Sequence, residues 1–249
     1  MKLLGHAWVA AKAYPEGNRK FLILGSVLPE IMYYTKKHPF KYEEIHEGGD
    51  VVYLYLKDRK SEMADLGIGM YAHSVKSGAD RFNFDKKLST LGYKGEDINT
   101  LRKRLGEVLK ILPETARVRA HNILELAVEV NIIRKHPEFR DEFGRSLVDS
   151  DLRSEIVGIL SRCFRKDKYE TETCVSELLG KAKAEYFKDA YGLAGLWGEL
   201  SRDFDPPFER KELAVLLEEL AHGFNGKDEE FLRECVLWVR GNIMKLVRE

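Results

Sequence analysis

Apolar residues recur at intervals of three and four positions through most of this chain, the spacing typical of amphipathic helices. Leu101, Leu105, Val108 and Leu112 form one such stripe. The chain shows no sustained alternation of apolar and polar residues, so the pattern predicts an all-α protein built as a multi-helix bundle. The clearest predicted helices cover residues 4–13, 62–78, 97–112, 114–135, 152–164, 170–190, 211–222 and 228–247.

Proline and glycine mark the limits of these segments. The pair His136-Pro137 ends the longest predicted helix, and the proline-containing residues 203–207 separate two later ones. Residues 45–56 predict a further helix, although β-branched and aromatic side chains within it favour strand locally. Residues 26–30 fit either a capped helix start or a rigid loop.

Composition narrows the classes of function only slightly. The 249 residues include 41 basic and 41 acidic side chains, so the formal net charge is zero. This balance gives no general attraction to nucleic acid or to anionic membranes, although nucleic acid stays open as a substrate.

Cys163, Cys174 and Cys235 are too far apart for a metal-binding pair or a disulfide framework, which favours a cytoplasmic protein. No apolar run approaches the roughly 18 residues of a transmembrane segment, and no secretion signal is convincing.

The candidate chemistry lies in the histidines, five of which fall in the first half of the chain. His121 and Glu125 are four positions apart and share one helix face, with Cβ atoms roughly 5–6 Å apart. For this pair alone, a core histidine beside a surface glutamate is the commoner explanation. Imidazole and carboxylate groups are, however, the ligands that suit zinc-like ions. Such ligands on several helices indicate a metal site inside a helical bundle.

The order of these residues resembles the bacterial zinc-dependent phospholipase C, which shares its fold with the P1/S1 nucleases. The resemblance rests on His6, Gly25-Ser-Val-Leu-Pro-Glu30, His46, Gly69-Met-Tyr-Ala-His73 and His121-xxx-Glu125, over roughly residues 1–130. That family is all-α, binds a cluster of up to three zinc ions and hydrolyses phosphoric esters with metal-activated water. The resemblance implies six metal ligands: His6, Glu30, His46, His73, His121 and Glu125.

The chain departs from the family's pattern at four positions, the first of which is Met1, where the secreted relatives use a tryptophan as a ligand. Ser77 stands where the family has an aspartate that bridges two metals, and Asn83 stands where it has a further histidine. Glu30 replaces the family's aspartate after proline, which keeps the charge on a longer arm. Asp80 could replace the missing aspartate only if the predicted helix breaks at Gly78. We therefore expect one or two zinc-like ions rather than three.

Our first hypothesis is a metal-dependent hydrolase that acts on a phosphoric ester, either a small molecule or a lipid head group. His46, His73 and Glu30 would hold one ion, and His121 with Glu125 would hold or complete another. The attacking hydroxide would come from metal-bound water, with Glu30 as the catalytic carboxylate that orients it.

The alternative is a non-catalytic helical interaction or regulatory protein with a vestigial metal site. The residues Ser77 and Asn83 favour this alternative, whereas the surviving six-ligand series favours the enzyme. In both cases we predict a single helical domain over residues 1–249, with a metal-site half at about 1–136 and a helical half at about 137–249.

Basic side chains near these ligands are candidates for binding phosphate oxygens, although solvated helix faces explain them equally well. They are Lys76, Arg81, Arg117 and Arg119. We expect Tyr33, Tyr34 and Tyr71 either to line a pocket or to pack in the core. The chain contains no Walker loop, no GxGxxG motif opening a helix, no GxSxG elbow and no His-Asp doublet, which removes other hydrolase and nucleotide-binding classes.

Overall fold

The computed structural model describes residues 2–82, 91 and 96–248, and every regular element in these residues is helical. The predicted all-α class is therefore confirmed. The helices of the first half are α1 (Leu3–Ala13), α2 (Arg19–Val27), α3 (Ile31–Tyr34), α4 (Tyr42–Ile45), α5 (Gly49–Lys57), α6 (Asp65–His73), α7 (Glu96–Leu109) and α8 (Pro113–Lys135). Those of the second half are α9 (Pro137–Leu147), α10 (Ser150–Cys163), α11 (Lys168–Lys181), α12 (Ala190–Ser201), α13 (Arg210–Gly223) and α14 (Lys227–Arg248). Short 3₁₀ turns lie at Leu28–Glu30, Ser61–Met63, Ala79–Arg81 and Ala184–Phe187.

Two helices of the second half differ from the sequence prediction. Pro137 ends α8 as expected, but it also begins α9, because the fixed φ of proline suits the first position of a helix. The predicted helix over residues 170–190 is confirmed as far as Lys181, where α11 ends, and is wrong beyond that residue. Asp189 then starts α12 by accepting a hydrogen bond from the Gly192 amide at 2.7 Å.

The N-terminal half is organised by close contacts between α6 and its neighbours α2 and α5. A Cβ atom on Gly25 of α2 would lie 2.1 Å from the Leu66 carbonyl oxygen, and one on Gly69 of α6 would lie 2.4 Å from the Leu22 carbonyl oxygen. The backbones of α2 and α6 therefore touch, which only glycine allows. This contact brings the end of α6 beside the segment that follows α2.

A cluster of buried apolar side chains extends from Leu3 of α1 to Leu246 of α14. It surrounds the polar residues described below. Among the described residues, no helix combines the length and the hydrophobicity needed to cross a membrane.

Candidate metal centre

Three of the six predicted ligands come together in the core. His6 lies in α1, Glu30 ends the Leu28–Glu30 turn, and His73 is the last residue of α6. All three are buried, with at most 3% of each residue exposed. Each offers one ligand atom, and these atoms lie within 4.8 Å of one another. This spacing suits a single cation.

A second group contains His46, His73 and Asp80 within the same limit. The Oδ2 atom of Asp80 lies 3.2 Å from Nε2 of His46 and 3.5 Å from Nε2 of His73. Its Oδ1 atom lies 3.2 Å from Nε2 of His6. The carboxylate of Asp80 thus faces three histidine rings.

Asp80 reaches this position because α6 ends at His73, so the predicted helix over residues 62–78 is wrong at its end. The hydroxyl groups of Ser74 and Ser77 both donate hydrogen bonds to the Tyr71 carbonyl oxygen, at 3.2 and 3.3 Å. Such local side-chain bonds to the backbone compete with helix continuation. Ser77 therefore helps end the helix, and the chain returns with Asp80 facing the histidines. Asn83 lies outside the described residues.

Glu47 forms hydrogen bonds both with His46 and with the turn that leads to Asp80. Its Oε1 atom accepts hydrogen bonds from Nδ1 of His46 at 3.1 Å and from the Val75 amide at 2.9 Å. Its Oε2 atom accepts one from the Lys76 amide at 3.3 Å. A carboxylate on one ring nitrogen directs the other ring nitrogen towards a metal. Glu47 therefore orients His46 and anchors the turn that leads to Asp80.

Helix α14 supports the same turn from the other side. The Asn242 side-chain amide donates a hydrogen bond to the Ser77 carbonyl oxygen at 3.0 Å. The guanidinium carbon of Arg81, next to Asp80, lies 4.0 Å from the centre of the Trp238 ring. Arg81 is exposed, and its guanidinium group packs against this aromatic ring.

The histidine rings are held close together. The rings of His6 and His73 stack with centroids 3.8 Å apart, and those of His46 and His73 meet edge to face at 4.9 Å. Nδ1 of His73 donates a hydrogen bond to the Ser26 carbonyl oxygen at 2.8 Å, so Nε2 is the nitrogen that faces the cluster. A backbone carbonyl that orients the outer nitrogen is the usual support for a metal-binding histidine.

The protonation states of His6 and Asp80 favour cation binding, whereas the raised pKa of His46 favours the protonated ring, which must lose its proton before it binds a metal. Burial, followed by the neighbouring His73, holds the pKa of His6 well below its ordinary value. Burial alone would raise the pKa of Asp80, but His6, His73 and the hydrogen bond from His46 hold it well below its ordinary value. Burial alone would likewise lower the pKa of His46, but Asp80 and Glu47 raise it. A neutral His6 and an ionised Asp80 are the forms that bind metal.

Several buried polar atoms of the cluster have no hydrogen-bond partner among the described residues. Nδ1 of His6 and Oε2 of Glu30 are two of them, whereas Nε2 of His6 and Nε2 of His73 form no hydrogen bond of good geometry but lie 3.2 and 3.5 Å from the Asp80 carboxylate. Leaving a buried polar atom unpaired costs roughly 1–3 kcal/mol each, and native proteins contain few of them. A bound cation would satisfy the ring nitrogen and carboxylate oxygen that face the cluster, so the donor set fits a zinc-like ion.

The remaining two predicted ligands, His121 and Glu125 of α8, lie elsewhere on the same cavity. Among the described residues, neither belongs to a group of three ligand atoms within 4.8 Å. Both line a cavity of about 530 Å³ that Glu30 and Asp80 also line. Nζ of Lys2 lies 3.8 Å from Oε2 of Glu125. Their role as metal ligands stays a prediction.

Aromatic and basic residues also line this cavity. Tyr33 and Tyr34 contribute from α3, while Arg119 contributes from α8 beside Trp197 of α12. Tyr33 is exposed, whereas Tyr34 is buried. Phe204 lines the cavity and is also exposed. The cavity therefore joins the ionisable cluster to the surface through a partly apolar mouth.

Glu129 is a buried carboxyl group that sequence reasoning missed. It lies in α8, four positions after Glu125, and its Oε1 atom accepts a hydrogen bond from the Gly5 amide at 2.7 Å. That amide belongs to the first turn of α1, where no residue of α1 supplies a partner. The contact therefore fixes the helix that carries His6.

Burial raises the pKa of Glu129 to about 8, despite the hydrogen bond from Gly5. The folded state therefore holds a proton that the unfolded chain, in which this carboxyl group has its ordinary pKa of 4.5, releases. This group makes the protein less stable as pH rises between these two values, by at most about 1.4 kcal/mol per unit.

We expect Glu129→Gln to remove that contribution, because glutamine cannot ionise and its side-chain oxygen still accepts the Gly5 hydrogen bond. Urea unfolding at pH 5.5, 6.5 and 7.5 measures the difference in slope from the parent protein. The control is Glu172→Gln, at an exposed position within α11. Parallel slopes for parent and Glu129→Gln would show that Glu129 is already ionised in the folded protein.

Comparisons of this chain with models of protein families, with curated proteins and with solved structures found no match. The resemblance to zinc-dependent phospholipase C accordingly stays a prediction.

Proposed function

We propose that this protein is a metal-dependent hydrolase of a phosphoric ester. The observation that carries the proposal is the convergence of three buried histidines with Glu30 and Asp80 at the edge of a cavity of about 530 Å³. Nε2 of His6 and Nε2 of His73 lack a hydrogen bond of good geometry and face the Asp80 carboxylate, which supports a bound cation. The cavity gives a substrate access to the same carboxylates.

His73 is the central ligand in this proposal. Because its Nδ1 atom donates to Ser26, only Nε2 is available, and one nitrogen binds one ion. The two groups of ligand atoms therefore describe alternative partners for a single zinc ion at His73. Its other ligands are drawn from His6, Glu30, His46 and Asp80. A second ion would require His121 and Glu125.

A divalent ion held there would supply Lewis acidity and an activated water for phosphoric ester hydrolysis. Glu30 lies both in the cluster and on the cavity wall, and its Oε2 atom has no hydrogen-bond partner among the described residues. We assign Oε2 the role of accepting a proton from the attacking water, in which case the ion is held by His46, His73 and Asp80 and not by Glu30. Lys2 and Arg119 lie on the same wall, where each is paired with a carboxylate, Glu125 and Asp205 respectively.

The first test is zinc content by mass spectrometry, on protein purified without added metal and without an affinity tag. We expect one equivalent of zinc, or two if His121 and Glu125 take part, and loss of the His73-bound ion in His73→Ala. His222→Ala is the matched control, because His222 is exposed in α13 and its Nδ1 atom contacts only the Glu218 carbonyl oxygen.

The second test is hydrolysis of p-nitrophenyl phosphate and bis(p-nitrophenyl) phosphate by the zinc-loaded protein. We expect turnover that a chelator abolishes and that His222→Ala retains. A protein that binds no metal and keeps its stability in chelator would overturn the proposal. Zinc binding without turnover of either ester would favour the alternative, a regulatory protein with a vestigial metal site.

A further inference from the structure

Arg119 is a strongly oriented cation on the cavity wall. Its Nε and Nη2 atoms donate hydrogen bonds to the Asp205 carboxylate at 3.1–3.2 Å. The Asp205 side chain is 0% exposed, whereas that of Arg119 is 20% exposed. Two-point contact of this kind fixes the plane of a guanidinium group.

Two aromatic rings hold the same guanidinium group. Its central carbon lies 4.3 Å from the centre of the Phe204 ring and 6.0 Å from the centre of the Trp197 ring. Both rings line the cavity with Arg119. The orientation of Arg119 is therefore set before a ligand arrives, which lowers the entropic cost of binding.

The donors of Arg119 are only partly used. Asp205 occupies Nε and Nη2, and Nη1 donates to no described residue. Asp205 balances the charge of Arg119 overall, but it lies on the buried side of the pair. The positive end of the pair therefore points away from Asp205, and a carboxylate or phosphate oxygen is the natural partner for the remaining N–H groups.

We propose that Arg119 forms an anion subsite for a second negatively charged group of the substrate. This inference rests on the proposed function, since it places the phosphoric ester at Glu30 and Asp80 and the second group at Arg119. The substrate class is then a phosphoric ester that also carries a carboxylate or another phosphate. The cavity of about 530 Å³ accommodates a small ligand of this kind.

Matched ligands test the subsite directly. We would measure by calorimetry the binding of 4-carboxyphenyl phosphate and 4-carbamoylphenyl phosphate, which differ only in the charge of one group. Adding 1,4-phenylene bisphosphate distinguishes a carboxylate from a phosphate preference. We expect the charged ligands to bind about 10-fold tighter than the carbamoyl ligand, the effect of a charge-assisted hydrogen bond.

The matched variant is Arg119→Met with Asp205→Asn, which removes both charges together and avoids an uncompensated buried carboxylate. We expect its preference for charged ligands to disappear, while Arg119→Lys retains part of it. A melting curve and the zinc content establish that each variant is folded. Equal binding of charged and carbamoyl ligands by the parent protein would overturn the subsite, whatever the variants do.

Binding is measured both on protein as purified and on chelator-treated protein, with no need for hydrolysis. A preference for charged ligands without turnover would keep the subsite and reject the hydrolase. Turnover of esters without a preference for charged ligands would keep the hydrolase and reject the subsite.

Discussion

Replacing Asp80 by asparagine should lower the affinity for zinc by more than about 100-fold. A loss of about 100-fold is the upper limit for substituting a residue that only supports a metal ligand. The variant keeps the shape of the side chain but removes the charge that faces His6, His46 and His73. Hydrolysis should fall in parallel. Competition with a chromophoric chelator measures the affinity, and Asp58→Asn, at an exposed position, is the control.

A further variant distinguishes this chain's Asp80 from the ligand position of the phospholipase C pattern, which corresponds to Ser77. Adding Ser77→Asp to the Asp80→Asn variant should not restore zinc binding, because α6 ends at His73 and Ser77 bonds back to the Tyr71 carbonyl oxygen. Full recovery of affinity in the double variant would mean that the ligand position is the one in the family's helix and not Asp80.

Replacing Gly25 by alanine should destabilise the protein by about 3 kcal/mol or more. The added methyl carbon would lie 2.1 Å from the Leu66 carbonyl oxygen, and backbone atoms cannot move aside as a flexible side chain can. Separation of α2 from α6 would also lengthen the hydrogen bond from His73 to Ser26, so zinc affinity should fall too.

Urea unfolding measures the first effect, and Gly241→Ala is the matched control. Gly241 is exposed in α14, and nothing lies within 4 Å of the position of its added Cβ atom. There alanine should stabilise by roughly 0.5–1 kcal/mol, because glycine is costly within a helix. A change at Gly25 as small as the change at Gly241 would mean that α2 and α6 do not pack backbone to backbone.

Helix content was predictable because each helix places apolar residues on one face, a local property of the sequence. Helix ends were predictable only where the signal was strong. Pro137 indicates the end of α8 in the sequence. Proline also favours the first position of a helix, and the start of α9 at this residue was not predicted. Asp189 gives a cap signal that the apolar pattern before it obscures. The end of α6 depends on Ser74 and Ser77, which polar patterning alone does not distinguish from ordinary helix residues.

The candidate site was predictable in its residue types more than in its geometry. His6, Glu30 and His73 come together as one group, but that proximity depends on the contact of α2 with α6. Asp80 was considered only on condition that the helix broke. Glu47 and Glu129 were missed, although each had a signal: Glu47 adjoins His46, and Glu129 lies in an apolar stretch four positions after Glu125. Arg119 gave no signal of its partner Asp205, which is 86 residues away.

The contact of Asn242 with Ser77 joins residues separated by 165 positions. At synthesis rates of about 5–20 residues per second, α14 leaves the ribosome roughly 8–33 seconds after the turn that presents Asp80. During that interval the nascent chain already contains His6, Glu30, His46 and His73. It still lacks the hydrogen bond from Asn242 that supports the turn leading to Asp80. If the cluster binds a metal, loading should therefore be completed only after translation of α14.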